Sequence, residues 1–473
     1  MESAVRLAQP SGSDAQIISA NGNFTATFLT DAGTILGLDQ FGARPLPPRV
    51  EHLWRRDGFA AEIPFTNAAL VPMGTADAGM LYEAIAAVVA RHEILRTRLA
   101  VKDGRAIQIA EGWKVSRLEV SRVRREELTD SRPGHLSAAG AFAQGTPDLY
   151  AQDGFRCHGF RDETGEITLG LLAHGFFADA WSAQLLLREI RAAYAALETR
   201  SALCLPPVLQ YADYARAVLT ALGAGLQSHL GHWHRVLKGA APADLPYDRD
   251  GDTGRRGRSF FFLKRDLADR LSAVARQHRV SLMILLLAAC QIAQARWSGM
   301  RDILSAVYTA DRVKPEFHNT VGMLITNMPV RSLIDPGASL DMFLGELSRA
   351  YYGGYAHREL SCELYEAVFA PPSPFCATVF NFVPLQKGAA DDDPFAVRAF
   401  EGTVATPDAA RPAIYREIYL GLSQHPDGIL GKLFYNAGRF SPEAMAAFVE
   451  NFRTVAERMA TDPAPAIKAL LGR

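Results

Sequence analysis

Ala173-His174-Gly175-Phe176-Phe177-Ala178-Asp179-Ala180-Trp181-Ser182 joins two different periodicities. Before it, residues 167–172 form an apolar run of strand length; after it, residues 183–197 repeat apolar side chains at helical spacing. A strand that turns into a helix brings side chains and open helix N–H groups to one point, a common way to build a site. Asp179 stands at the head of that helix, where one role for it is an N-cap.

Upstream, residues 155–160 pair naturally with 167–172 across Arg161-Asp162-Glu163-Thr164-Gly165-Glu166, a good hairpin turn. A strand is expected over 106–109, and a helix over 76–90 that runs into Arg91-His92-Glu93-Ile94-Leu95-Arg96-Thr97. Residues 1–44 are polar and rich in small side chains. They read as an extension and a possible docking element, with a short hairpin expected from 23–29 and 34–38, and Pro45-Leu46-Pro47-Pro48 breaks the chain after it. Downstream, helices are expected over 211–222 and 227–237, and the Pro/Gly/Asp-rich stretch 241–254 reads as a linker. Beyond it come strands near 259–263, 303–309, 377–383, 415–423 and 428–435. Helices are expected over 268–277, 282–296 and 340–352, and over 442–459 with Ser441 as its cap and Pro442 at its first position. The pattern describes an α/β chain in two mixed lobes, 45–240 and 241–473.

The chain has 473 residues, of which 48% are hydrophobic and 21% charged, enough for a sizeable core. Its net charge of −1 argues against a large nucleic-acid footprint, and no nucleic-acid partner is expected. Five scattered cysteines without C-x-x-C spacing argue against a disulfide framework or a zinc site. The strongest apolar run, 282–290, is about half the ~20 residues of a spanning helix, and no basic-then-apolar signal opens the chain. A cytoplasmic, monomeric protein without a membrane partner is expected.

Five motifs in order resemble those of the condensation domains of nonribosomal peptide synthetases, relatives of chloramphenicol acetyltransferase. Arg91 to Thr97 resembles RHExLRT, and His174 to Ser182 resembles HHxxxDGWS. Tyr211-Ala212-Asp213-Tyr214-Ala215 resembles YxDFA, His232-Trp233 stands where a YW pair precedes the linker, and Gly322 to Arg331 resembles GxFVNTLPLR. The resemblance implies two acetyltransferase-like lobes in a V, with a reaction centre midway along a central tunnel. It implies an amide-forming acyltransferase. The acyl donor would arrive as a phosphopantetheine thioester on an acyl or peptidyl carrier protein, and the amine acceptor soluble or carrier-bound, with no bound cofactor. No adenylation or carrier segment accompanies these motifs, so the reading is of a free-standing enzyme.

The departures matter as much. The second histidine of HHxxxDG, which the family places beside the nucleophile, is Gly175 here, and its final glycine is Ala180. Heterocyclisation domains, with DxxxxDxxS, likewise lack that histidine, but residues 91–97 and 322–331 follow the condensation pattern. Thr326-Asn327 inverts the usual Asn-Thr, and Val50 replaces a Gln. Catalytic candidates are therefore His174, as substitute base or packed residue, Gly175 and Asp179; Trp181, Ser182, Asn327 and Asn381 are substrate-binding candidates. The resemblance implies a salt bridge from Asp179 to Arg331, a structural role. An enzyme is one reading; a non-catalytic platform that recruits other enzymes to a carrier-bound intermediate, or a cyclising or chain-releasing variant, are the others. The run His229-Leu230-Gly231-His232-Trp233-His234 is metal-like in composition, but its spacing is not expected to converge on one helix face. No metal is expected. Arg255-Arg256-Gly257-Arg258 reads as a solvated loop or a dock for an acidic carrier.

Overall fold

Alternating strands and amphipathic helices resolve into two sheets, each with its own apolar core. The computed structural model describes residues 24–472 apart from 25, 37, 39–43, 58–65, 130–141, 143–147, 152–153, 252–255, 372, 374, 385–415 and 463–464. The first sheet uses β1 (Thr66–Pro72), β4 (Val120–Arg122), β5 (Phe155–Arg161) and β6 (Ile167–His174), in the order β1-β6-β5-β4. β5 and β6 form the expected antiparallel hairpin, while β4 lies parallel to β5. β6 is paired on both sides and buried from Leu169 onward, which its near-continuous apolar sequence requires. A separate ribbon pairs β2 (Thr97–Lys102) with β3 (Arg105–Ala110).

The second sheet runs in the order β7-β12-β11-β10-β8-β9. Its strands are β7 (Arg256–Lys264), β8 (Asp302–Ala310), β9 (Ile325–Leu333), β10 (Thr378–Val383), β11 (Ile418–His425) and β12 (Gly428–Asn436). The helices Arg265–Gln277, Leu282–Ser298 and Pro442–Thr461 belong to its core, with Leu271, Leu286, Leu420, Leu433 and Phe448 inaccessible to solvent. Ser441 caps the last of these by accepting from Ala444 N (3.1 Å), with Pro442 in the first turn. No single described helix is long and apolar enough to cross a membrane.

Two segments tie the cores together. The stretches expected as two helices form one, Tyr211–Leu237; Tyr211 and Tyr214 lie in the first core, Leu222 to Leu237 in the second. The loop leaving β8 returns to the first core through Phe317, Val321 and Leu324 before β9 begins.

Two local expectations are corrected and a third holds. Among the described residues of 24–38 no hairpin forms: Ala26–Ile35 is a helix, because Phe24, Phe28, Ala32 and Leu36 recur every four residues and pack into the second core. Residues 1–23 lie outside the described residues. Arg256, Gly257 and Arg258 are not a loop but the start of β7, paired with Phe434 to Asn436; Arg255 lies outside the described residues. Gly257 is required there, since a Cβ would come within 2.1 Å of the Tyr435 ring. As expected, His229, His232 and His234 do not all converge on one helix face, although His229 and His232 share one. His229 Nδ1 lies 3.1 Å from His357 Nδ1, and the His232 ring stacks on His357 at 4.1 Å, whereas His234 turns to Phe24 and Phe369. Among the described residues no group of three or more His, Cys, Asp or Glu side chains is arranged to hold a metal ion.

Candidate functional site

β6 ends at His174, and residues 175–177 turn into the helix Ala180–Glu198. Phe176 and Phe177 anchor the turn, both buried in the first core. The His174 carbonyl accepts from Phe177 N (2.8 Å) and Ala178 N (3.2 Å), and its Nδ1 accepts from Phe176 N (3.1 Å). Burial pushes the His174 imidazole down to about 4, so it is neutral and a poor proton acceptor near pH 7. Its geometry is that of a packed histidine holding the turn. Gly175 is buried beside it and brings no proton-accepting group.

Asp179 is the N-cap, its Oδ1 accepting from Ser182 N at 2.7 Å. The same carboxylate takes Arg312 Nη2 at 3.0 and 3.1 Å on its two oxygens, and Oδ2 accepts from Leu324 N at 3.0 Å. Its backbone N donates to Gly322 O (3.1 Å). Ser182, fully buried, donates through Oγ to Gly322 O (3.0 Å) and accepts from Gly322 N (3.1 Å) and Arg312 Nη2 (2.8 Å). Arg312 also donates to the carbonyls of Phe317 and Thr320. The result is a latch: the helix head of the first lobe is clasped by the loop that leaves the second sheet. Gly322 permits it, since its φ of +153° suits glycine and a Cβ would meet the Tyr211 ring at 2.2 Å.

The salt bridge implied for Asp179 and Arg331 is therefore corrected: the partner is Arg312. Arg331 lies seven residues beyond Leu324 along β9, roughly 23 Å at ~3.3 Å per residue, too far for contact. It pairs instead with Asp302 (2.7 and 2.8 Å) and donates to the carbonyls of Val236, Lys238 and Gly239, fastening the end of the long helix. Trp181 is 42% exposed, and its indole N–H donates to His318 O (3.1 Å), which ties it to the same loop. Ser182 is taken up by the latch rather than open to a substrate.

Asn327 is not a free donor either. Its Nδ2 donates to Glu363 Oε1 at 2.6 Å and its Oδ1 accepts from Cys362 N at 3.1 Å. Asn381, half-buried on β10, donates to the Tyr419 hydroxyl at 2.9 Å. The RHEILRT segment supports the site helix from behind: Arg91 Nε donates to Glu189 (3.1 Å), and His92 Nε2 is 2.7 Å from the same oxygen.

The sequence reading missed a second contact between the lobes. Arg49, on the helix Pro48–Asp57, meets Glu363, on the helix Cys362–Phe369, at 3.2 and 3.3 Å, and reaches the Tyr308 hydroxyl at 3.3 Å. Both ions are buried. Burial alone would raise the Glu363 carboxyl, but the charges of Arg49 and Arg416 hold it well below the usual carboxylate range. Glu363→Gln leaves the buried Arg49 guanidinium without its anion, so a loss of about 3–5 kcal/mol is expected. Urea unfolding of the variant and of Glu363→Gln/Arg49→Met measures it, and the double variant should recover part of the loss.

These features match a known family. A family model described as Condensation domain matches residues 64–471, and the chain belongs to that family. The phosphinothricin tripeptide synthetase PhsC of Streptomyces viridochromogenes is 28% identical over 458 residues, covering 91% of this chain and 40% of that protein. The chain therefore spans less than half the length of that relative. The condensation domain of the Monacolin K polyketide synthase MokA superposes with a TM-score of 0.72 at 20% identity, over 90% of this chain and 98% of that one. The X-domain from teicoplanin biosynthesis, solved in complex with OxyB, superposes with a TM-score of 0.70 at 21% identity, over 91% and 96%. The two-sheet architecture is thus the chloramphenicol acetyltransferase-like fold of condensation domains. The family works in nonribosomal peptide and polyketide biosynthesis with substrates on carrier-protein phosphopantetheine.

Proposed function

We propose that this chain transfers an acyl group from a carrier-bound phosphopantetheine thioester to an amine, forming an amide. The observation that carries the reading is the latch. Asp179, Ser182, Arg312 and Gly322 fix the turn beside Gly175 against the second lobe, while no proton acceptor stands at 175. That combination suits a reaction run on positioning. The amine nitrogen attacks the thioester carbonyl, the C–N bond forms, and the C–S bond breaks to release the phosphopantetheine thiol. The nitrogen proton leaves to water or to the departing thiolate.

A positioned base is worth about 10²–10⁴-fold. Holding both reactants together is worth up to roughly 7–11 kcal/mol. A neutral amine can therefore react without the histidine. A hydroxyl, a far poorer nucleophile without a base, is disfavoured as acceptor. In this reading the two substrates approach from opposite ends of a tunnel between lobes set in a V.

A second reading is favoured by the same empty position. With His174 packed and Gly175 inert, the domain could serve as a platform that holds a carrier-bound intermediate for another enzyme, as an X-domain in complex with OxyB suggests by analogy of fold. One assay separates them. The chain is incubated with acyl-loaded carrier protein and a panel of primary amines, and products are followed by mass spectrometry. Amide formation above the uncatalysed rate is expected; no turnover with any amine, alongside tight carrier binding, would leave the platform.

A further inference from the structure

The second sheet has two unlike faces. Side chains alternate across a pleated strand, so register decides which residues share a face. Phe380, Leu420, Leu433 and Phe261 point into the core and are nearly inaccessible. The opposite face carries half-buried Tyr308, Tyr419, Phe434 and Phe260, one each from β8, β11, β12 and β7, with Asn381 of β10 among them. Their rings follow one another across the sheet: Tyr308 to Tyr419 at 6.1 Å, Tyr419 to Phe434 at 5.8 Å, Phe434 to Phe260 at 6.5 Å. Partly accessible aromatics in an unbroken row are informative in a way that scattered ones are not.

Tyr419 is the best-held member. A Cβ on Gly421 would lie 2.8 Å from its ring, so the ring leans over a position with no side chain. Asn381 Nδ2, donating to the Tyr419 hydroxyl, fixes the other end (2.9 Å). The row also begins at the lobe contact. Arg49 of the first lobe stands 5.4 Å from the Tyr308 ring centre, and Tyr308 precedes the latch residue Arg312 by four positions.

We propose that this row is a substrate subsite that binds a planar aromatic group carried by one of the two condensation substrates. The inference rests on the acyl-transfer reading and names its substrate class. Aromatic rings prefer offset or edge-on partners 4.5–7 Å apart, the spacing of the row itself, so a substrate ring would gain beyond what apolar burial alone gives it.

The test uses matched pairs that differ in planarity rather than size. In one arm the donor is phenylacetyl or cyclohexylacetyl N-acetylcysteamine thioester with a fixed alkyl amine; in the other the acceptor is benzylamine or cyclohexylmethylamine with a fixed alkyl thioester. Turnover is read by mass spectrometry and binding by calorimetry. The wild type should favour the aryl member of one arm by roughly three- to tenfold, and that arm identifies which substrate carries the ring. Tyr419→Leu and Phe434→Leu should bring the ratio near unity, the aryl member falling more than the cyclohexyl one. Turnover with no aryl preference in either arm, or variants that lower both members equally, would overturn the subsite. Absence of turnover with aryl-selective binding that Tyr419→Leu abolishes would overturn only the acyl-transfer reading, and equal binding of both members would overturn the subsite.

Discussion

Asp179→Ala is expected to cost about 3–5 kcal/mol of stability, seen as a large drop in the urea midpoint, with loss of activity following from loss of structure. The carboxylate does three jobs at once. It caps the site helix through Ser182 N, it neutralises buried Arg312, and it accepts from Leu324 N in the loop that crosses between the cores. Capping alone is worth about 1 kcal/mol. The larger part comes from Arg312, which alanine would leave buried with its charge uncompensated.

Two further variants apportion the effect. Asp179→Asn keeps a good capping oxygen but removes the charge, so it should stay nearly as unstable as alanine if the ion pair dominates. Asp179→Ala/Arg312→Met removes the orphaned cation and should recover part of the loss, a coupling that only contacting residues show. The outcome that sinks the structural assignment is an Asp179→Ala protein with an unchanged unfolding midpoint and no turnover. That would make the carboxylate an acid–base group.

The fold was legible where the sequence is locally consistent. The β5–β6 hairpin, the site helix with Asp179 at its head and the capped helix from Pro442 rest on neighbours within a few residues, and each was found. Failures fall where meaning comes from distant partners. The resemblance implies Arg331 for Asp179; only the path of the loop after β8 selects Arg312 instead, 133 residues along the chain. Arg49 and Glu363 lie 314 residues apart on two short helices, 10 and 8 residues long, whose periodicity is too brief to register. Asn327 shows the same limit. The motif marked it as a substrate-binding candidate, yet its amide is engaged by Glu363 and Cys362, which no pattern around it announces. Motifs named the candidates, and long-range polar contacts decide which of those side chains are already engaged.

In the proposed acyl transfer Gly175 is the position that decides how the proton leaves, and Gly175→His is expected to raise amide formation by at least about tenfold at pH 7–8. An imidazole at this position would supply the proton acceptor that His174 cannot, since His174 is buried, packed against its own turn and pushed down to about 4. The gain should be largest for weakly basic amines, which arrive neutral and whose proton the imidazole can accept as the C–N bond forms. An alcohol acceptor should go from no measurable product to some, because the hydroxyl has no other route to deprotonation. The pH profile gives an independent sign. The variant's rate should rise with pH as the added imidazole loses its proton and then level, a step the wild type lacks. A fall in turnover at unchanged stability would mean that substrate occupies the space glycine leaves, so that Gly175 is a specificity residue rather than a lost base. No product in either protein, with carrier still bound, would remove the acyl-transfer reading and leave the platform.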